Sequence, residues 1–115
     1  MERRVAVFLT RGEAPAVRMA GSCALAAAAL GARVQVFLLG DAVRAAVEGA
    51  GDDPDAPGAA LHRAREAGAC QLVACSQGVV ESGLDPGAVQ DVLDAVVGWA
   101  TILEWSRGVE ERFSF

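Results

Sequence analysis

The residue in this chain best suited to covalent chemistry is Cys75. It ends an apolar run, residues 70–75 (Cys-Gln-Leu-Val-Ala-Cys), and precedes a small polar turn, Ser76-Gln77-Gly78. A thiol between a strand and a helix lies beside backbone N–H groups without helical partners, at the positive end of the helix dipole. This setting favours the thiolate, the reactive form, so Cys75 is a candidate nucleophile or sulfur carrier. The alternative is a small apolar side chain that fills a strand end. Gly78 is expected to leave the approach to the sulfur open.

The other residues capable of chemistry form no recognisable cluster. The chain has three cysteines, which do not make a disulfide framework, and Cys23 and Cys70 are interpreted as structural. The one histidine, His62, is predicted on a helix whose position is remote from Cys75. Neither a CxxC pair nor a Cys/His cluster occurs, so no metal site is predicted. No GxGxxG or P-loop sequence occurs, so no cofactor is predicted.

Composition and charge exclude several classes of protein. The net charge of −5 argues against a broad nucleic-acid footprint, which needs clustered cations. All ten basic residues are arginine, which rules out lysine Schiff-base chemistry. The longest uncharged apolar stretch, residues 19–32, is too short to span a bilayer, so no membrane association is expected. The cysteine pattern is typical of a reducing cytoplasm, which is the predicted location.

Apolar runs alternate with segments of helical character along the whole chain. This pattern predicts a single α/β domain over residues 1–115, in three layers, with a mostly parallel sheet of about four to five strands and helices on both faces. Strands are predicted at 5–9, 33–39, 70–75 and 110–115, with a short extended piece at 95–97. Helices are predicted at 15–30, 42–48, 59–67, 87–93 and 99–107, and a loop at 51–58.

A ligand site is expected at the carboxyl ends of the strands. Open α/β sheets bind ligands there, at the point where the strand order reverses. With a flavodoxin-like order of 2-1-3-4, the first and third strands are neighbours. Their following loops would then bring Arg11, Gly12 and Glu13 into one cleft with Cys75 and the turn Ser76-Gln77-Gly78. In that cleft Arg11 is a candidate partner for a thiolate or persulfide, although both Arg11 and Glu13 are also typical of a solvated turn.

Several short motifs, in this order and spacing, resemble the DsrE/DsrF-like family and within it the TusD-type sulfur-relay proteins. They are Leu30-Gly31, the run Val-Gln-Val-Phe-Leu at 34–38, Gly40-Asp41-Ala42-Val43, Cys75 followed eight residues later by Gly83-Leu84, and Phe113-Ser114-Phe115. The resemblance covers nearly the whole chain.

The resemblance implies a flavodoxin-like fold, a homo- or hetero-oligomer, of which a homo-oligomer is expected here, and sulfur transfer through a persulfide on Cys75, with protein partners that donate and accept the sulfur. The hypothesis that follows is a small cytoplasmic sulfur carrier of sulfurtransferase type. The alternative is a non-catalytic oligomeric protein of the same fold, which binds a small ligand or serves as an assembly subunit and whose thiol has no role.

Overall fold

Five parallel strands form one sheet in the computed structural model, which describes residues 3–115. The strands are β1 (Arg4–Leu9), β2 (Arg33–Leu38), β3 (Cys70–Cys75), β4 (Ala95–Val97) and β5 (Glu111–Ser114). The helices are α1 (Ala14–Ala29), α2 (Ala42–Glu48), α3 (Ala59–Glu66), α4 (Ser76–Glu81), α5 (Pro86–Val92) and α6 (Trp99–Trp105). The predicted α/β fold with a mostly parallel sheet is confirmed.

The two faces of the sheet are covered very differently. Val5, Val34 and Cys70 lie in register on one face, which we call the first face, and their cluster includes buried residues of α1 to α5. The opposite, second face carries Phe37 and Cys75, and its cluster includes Ile102 of α6. The second face is therefore covered by one short helix, whereas the first is covered by five.

The strand order explains this division. The sheet runs β4-β3-β2-β1-β5, so the chain moves outward in one direction from β1 to β4 and then crosses back to the far side of β1. With right-handed connections, steps in one direction place their helices on the same face, and the single reversal places α6 on the other.

The expected order 2-1-3-4 is wrong, because β2 lies between β1 and β3. The packing of α1 against α3 accounts for the difference. Gly21 of α1 lies so close to α3 that a Cβ at this position would be 2.6 Å from the Cβ of Ala60. With no side chain at Gly21, the two helices lie side by side on the first face, and β3 is placed next to β2.

The predicted helices and strands are otherwise found close to their expected bounds. Pro15 lies in the first turn of α1, and Gly31 follows that helix with a φ of +89°, a conformation that glycine adopts without strain. Asp41 precedes α2 as predicted, but its side chain makes no capping hydrogen bond among the described residues. A helix was expected after Cys75, but the bounds of α4 were not predicted, because its first residues have the composition of a turn. Across residues 3–115, none of the helices has the length and apolar character needed to cross a membrane.

Candidate functional site

Cys75 is the last residue of β3 and immediately precedes α4. Its backbone is extended, with φ −75° and ψ 125°, and the helix begins at Ser76. In the sheet Cys75 is in register with Val97, the last residue of β4. The thiol therefore lies at the carboxyl edge of the sheet, where parallel α/β sheets bind their ligands. Cys23 and Cys70, by contrast, lie in the middle of α1 and at the start of β3.

The Cys75 side chain is buried against the second face. It is 3% exposed and belongs to the apolar cluster formed with Phe37, Val73 and Ile102. Val97 is half-buried against the same cluster. In the isolated chain, α6 and the neighbouring strands therefore separate this thiol from solvent.

The residues that follow Cys75 differ in their access to solvent. Ser76 and Gln77 are exposed, and Nε2 of Gln77 donates a hydrogen bond of 2.9 Å to Oε1 of Glu81. Gly78 is buried, and a Cβ there would be 3.1 Å from the backbone nitrogen of Gly40. The expectation that Gly78 opens a path to the sulfur is wrong, because this glycine instead lets α4 pack closely on the turn after β2.

Arg11, Gly12 and Glu13 do not share a cleft with Cys75. Because β2 separates β1 from β3, the two loops begin two strand spacings apart, which is about 10 Å. Gly12 packs on the loop after β2 instead, where an added Cβ would be 2.8 Å from the carbonyl oxygen of Asp41. The expected common cleft is therefore absent, because the strand order places β2 between β1 and β3.

The loop after β1 does line a cavity of its own. Thr10, Arg11, Gly12 and Glu13 surround a space of about 330 Å³ together with Asp41, Arg44 and Glu48. Within it, Nη1 of Arg11 lies 3.9 Å from Oε2 of Glu13, and both side chains are well exposed. The exposure of both side chains is typical of a solvated turn, the alternative that the sequence left open for Arg11 and Glu13. An exposed ion pair of this kind adds little stability.

The two other cysteines have environments that oppose ionisation. Burial, together with a smaller contribution from the nearby carboxylate of Asp94, raises the pKa of Cys70 to about 12, although the Arg65 guanidinium opposes this shift. Burial also raises the pKa of Cys23, with a smaller contribution from Glu111. All three cysteines are free thiols. Neither Cys23 nor Cys70 is suited to nucleophilic chemistry.

His62 and the acidic residues do not form a catalytic or metal centre. Nε2 of His62 lies 2.8 Å from the carbonyl oxygen of Ala46, so the ring joins α3 to α2 on the first face. Among the described residues, no group of three His, Cys, Asp or Glu side chains is placed to hold a metal ion.

Comparisons with known proteins give the family of the chain and support the α/β fold described above. The model of the DsrE/DsrF-like family matches residues 3–109. The chain belongs to the DsrE/DsrF-like family. A crystal structure of the ychN protein from E. coli superposes with a TM-score of 0.74 at 16% identity, and the match covers 100% of both chains. At this identity the likeness shows the fold alone. No curated protein sequence matches the chain significantly.

In this DsrE/DsrF-like chain, sequence reasoning missed the residues that cover the thiol. Gly98 immediately precedes α6, and a Cβ added at Gly98 would lie 3.8 Å from Oγ of Ser76. The start of α6 is therefore adjacent to the residue that follows Cys75. The extended piece at 95–97, followed by glycine, was a usable signal, because β4 ends beside β3 at the same edge.

Proposed function

We propose that this protein carries sulfane sulfur as a persulfide on Cys75. Two observations support the proposal. The family, DsrE/DsrF-like, suggests a role in sulfur relay. Of the three cysteines, Cys75 lies at the carboxyl edge of the sheet, beside the exposed Ser76 and Gln77. The position of this thiol is the single observation that carries the proposal.

The transfer is an exchange between sulfur atoms and needs no oxidant. The Cys75 thiolate attacks the outer sulfur of a donor persulfide, and a new S–S bond forms as the donor's S–S bond breaks. The donor leaves as a thiolate, so one persulfide is consumed and one is produced. An acceptor thiolate then attacks the outer sulfur on Cys75 and returns this cysteine to its thiolate form.

The reaction requires movement of α6, because Cys75 is 3% exposed. This helix is held to the second face by Ile102, which is buried, whereas Trp99 and Leu103 are 47% and 65% exposed. Elements with few buried apolar contacts open at low free-energy cost. We propose that docking of a donor or acceptor protein displaces the start of α6, and that the exchange takes place in a reducing cytoplasm, where all three thiols stay reduced.

The test is transfer of labelled sulfur. The protein is incubated with a cysteine desulfurase and cysteine, and its peptides are analysed by mass spectrometry without reducing agent. One added sulfur, about 32 Da, is expected on Cys75 and on neither other cysteine. Cys75→Ser should abolish the adduct, and Cys70→Ser, a matched change of a buried thiol, should retain it. An unmodified Cys75 beside a labelled control carrier would contradict the proposal.

A second candidate function is non-catalytic, and the burial of Cys75 favours it. In this alternative, the protein is an oligomeric subunit for ligand binding or assembly, and the thiol only fills the end of β3. The exposed Trp99 and Leu103 of α6 are then expected between chains, since tryptophan is enriched at interfaces.

Native thiol titration separates the two candidates. The carrier requires that the cysteine desulfurase, as donor protein, raises the rate at which Cys75 reacts with a thiol reagent, because docking is proposed to displace the start of α6. The non-catalytic subunit requires a Cys75 rate that the desulfurase leaves unchanged, together with an oligomer in sedimentation analysis that Leu103→Glu dissociates. Leu30→Glu, a similar change at an exposed leucine beyond α1, is the control.

A further inference from the structure

The helix α6 crosses the second face from one edge of the sheet to the other. It begins after Gly98 at the carboxyl edge, where β4 lies beside Cys75. It ends at Trp105, which lines a cavity of about 540 Å³ at the amino edge together with Gln35 and Gln71. The Cys75 thiol therefore lies beside the start of α6, and the amino-terminal ends of the strands lie beside its end.

The end of α6 is held by hydrogen bonds from two arginines of the sheet. The guanidinium of Arg4, on β1, donates to the carbonyl oxygens of Trp105, at 2.5 Å, and of Arg107, at 3.1 Å. The guanidinium of Arg112, on β5, donates to the carbonyl oxygen of Ser106 at 2.8 Å. The last carbonyl groups of a helix have no partner within it, and cations at this end also interact favourably with the helix dipole. The two arginines therefore fasten the end of α6 to β1 and β5.

The start of α6 has no comparable attachment. Residues 98–100 are exposed, and within residues 3–115 no side chain of another element forms a hydrogen bond with them. The first fully buried side chain of α6 is Ile102, and Ser106, which follows the helix, is 5% exposed. Release of the end would break three hydrogen bonds from charged donors, whereas movement of the start would break none of this kind. The start is therefore the end that opens at lower free-energy cost.

We propose that α6 is a hinged cover, whose start swings away from the sheet and uncovers Cys75 while its end stays fastened by Arg4 and Arg112. Gly98 lies where β4 must part from the moving helix, and it has no side chain to restrict that rotation. The opening is a property of the isolated chain, and a docked partner would stabilise the open state. The inference rests on the proposed function only for the purpose that the opening serves.

The test compares thiols at the two ends of the same helix. Ser106→Cys places a thiol at the fastened end, at a position about as buried as Cys75. Both thiols are labelled with iodoacetamide in the native state, without a sulfur donor, and peptide mass spectrometry resolves the sites. Each rate is divided by the rate in the urea-unfolded chain, and Cys70, on the first face, reports global unfolding. Cys75 should be labelled at least about tenfold faster than the thiol at position 106.

A matched pair of arginine changes tests the fastening. Arg112→Gln loses the hydrogen bond to the Ser106 carbonyl and should raise the labelling rate at position 106 by about tenfold, while the Cys75 rate changes by less than about threefold. Arg107→Gln removes the same charge from an exposed side chain beside the end of α6. It should leave both rates within about twofold, since this guanidinium forms only an exposed ion pair with Glu104.

Gly98→Ala tests the moving end and does not depend on the arginine variants. The native φ of −88° suits alanine, and the added Cβ meets no atom closer than 3.8 Å, so the fold is retained. Because alanine has fewer open conformations than glycine, labelling of Cys75 should slow by about two- to fivefold. Gly87→Ala, the same change on α5 with no contact closer than 3.5 Å, should leave the Cys75 rate unchanged.

Equal normalised rates at positions 75 and 106 would overturn the proposal, because α6 would then leave the sheet as one unit. Equal acceleration of both thiols by Arg112→Gln, or a Cys75 rate that Gly98→Ala and Gly87→Ala change equally, would overturn it as well. A chain that shows the expected rates but accepts no labelled sulfur keeps the hinged cover and loses the proposed function. Sulfur transfer to Cys75 with equal rates at both ends has the opposite meaning.

Discussion

The first and second faces of the sheet differ in how completely they are covered, and the candidate sites follow the difference. On the first face, helices α1 to α5 bury a continuous core that includes Leu61 and Val43. On the second face, α6 buries a small cluster with Ile102, and Cys75 belongs to that cluster. The comparison teaches that one face provides most of the buried core, while the thinly covered face holds the thiol on which the proposed function depends.

The largest expected effect is on the first face. Leu61→Ala removes a fully buried side chain and should lower the free energy of unfolding by about 3–4 kcal/mol, because little of the resulting cavity can collapse. Urea denaturation measures the change. Leu103→Ala, at an exposed leucine of α6, should cost less than about 0.5 kcal/mol. Equal losses in the two variants would remove the distinction between the faces.

On the second face, Ile102→Ala should lower the free energy of unfolding by about 2 kcal/mol. This loss is smaller than that of Leu61→Ala because the cluster around Ile102 is smaller and partly solvated. The substitution should also loosen α6 and raise the native labelling rate of Cys75 by about tenfold or more. Stopped-flow labelling with a thiol reagent measures that rate. Cys70, on the first face, is the internal control, and parallel acceleration of both thiols would indicate global unfolding instead of local opening.

A smaller effect is expected at Asp94, which immediately precedes β4 at the edge of the sheet. Oδ2 of Asp94 accepts a hydrogen bond of 2.8 Å from the backbone N–H of Leu72, and Oδ1 lies 3.0 Å from Nη2 of Arg65. Asp94→Ala loses both contacts and should lower the free energy of unfolding by about 1–2 kcal/mol. Asp94→Asn can keep the side-chain oxygen that accepts from Leu72 and should lower it by about half as much, since the ion pair with Arg65 is partly exposed and screened. Thermal unfolding of both variants tests this order.

The smallest effect depends on pH. The hydrogen bond from the Arg4 backbone N–H to the Glu110 carboxylate lowers the pKa of Glu110. Because the folded pKa lies below the unfolded value of about 4.3, the contribution to stability is present above that pH and is lost as the pH falls through the folded pKa.

The corresponding measurement compares the Tm of Glu110→Gln with that of the unchanged protein between neutral pH and about pH 3. The variant should have the lower Tm at neutral pH, and the two values should converge in acid. A difference in Tm that stays constant over this pH range would show that the charge of Glu110 does not contribute to stability.

The sequence predicts most elements because their signals are local. Pro15 and Gly31 bound α1, and the run of residues 70–75 ends at the polar Ser76, so these elements could be placed without a structure. The strand order could not be placed in this way. It depends on the close approach of Gly21 and Ala60, residues of two separate helices, and no local pattern encodes such a contact.

The candidate site was predictable in position but not in its surroundings. The end of an apolar run put Cys75 at the carboxyl edge of the sheet, and the structure places it there. Its burial depends on Ile102, which belongs to a helix much later in the chain. The role of Cys75, and those of Arg11 and Glu13, stay predictions. The polar Gln35 and Gln71 within otherwise apolar strands were a usable signal that part of one face is uncovered.

The pairing of β1 with β5 has a consequence for how the chain reaches its native state. The hydroxyl and backbone N–H of Thr10 both donate to the carbonyl oxygen of Phe115, 105 positions away. During synthesis β1 acquires β2 as a neighbour early, but its other side stays without a hydrogen-bonding strand until Glu111–Ser114 has emerged from the ribosome. Throughout that interval the nascent polypeptide displays an unprotected β-edge, the feature that most readily recruits other chains into aggregates.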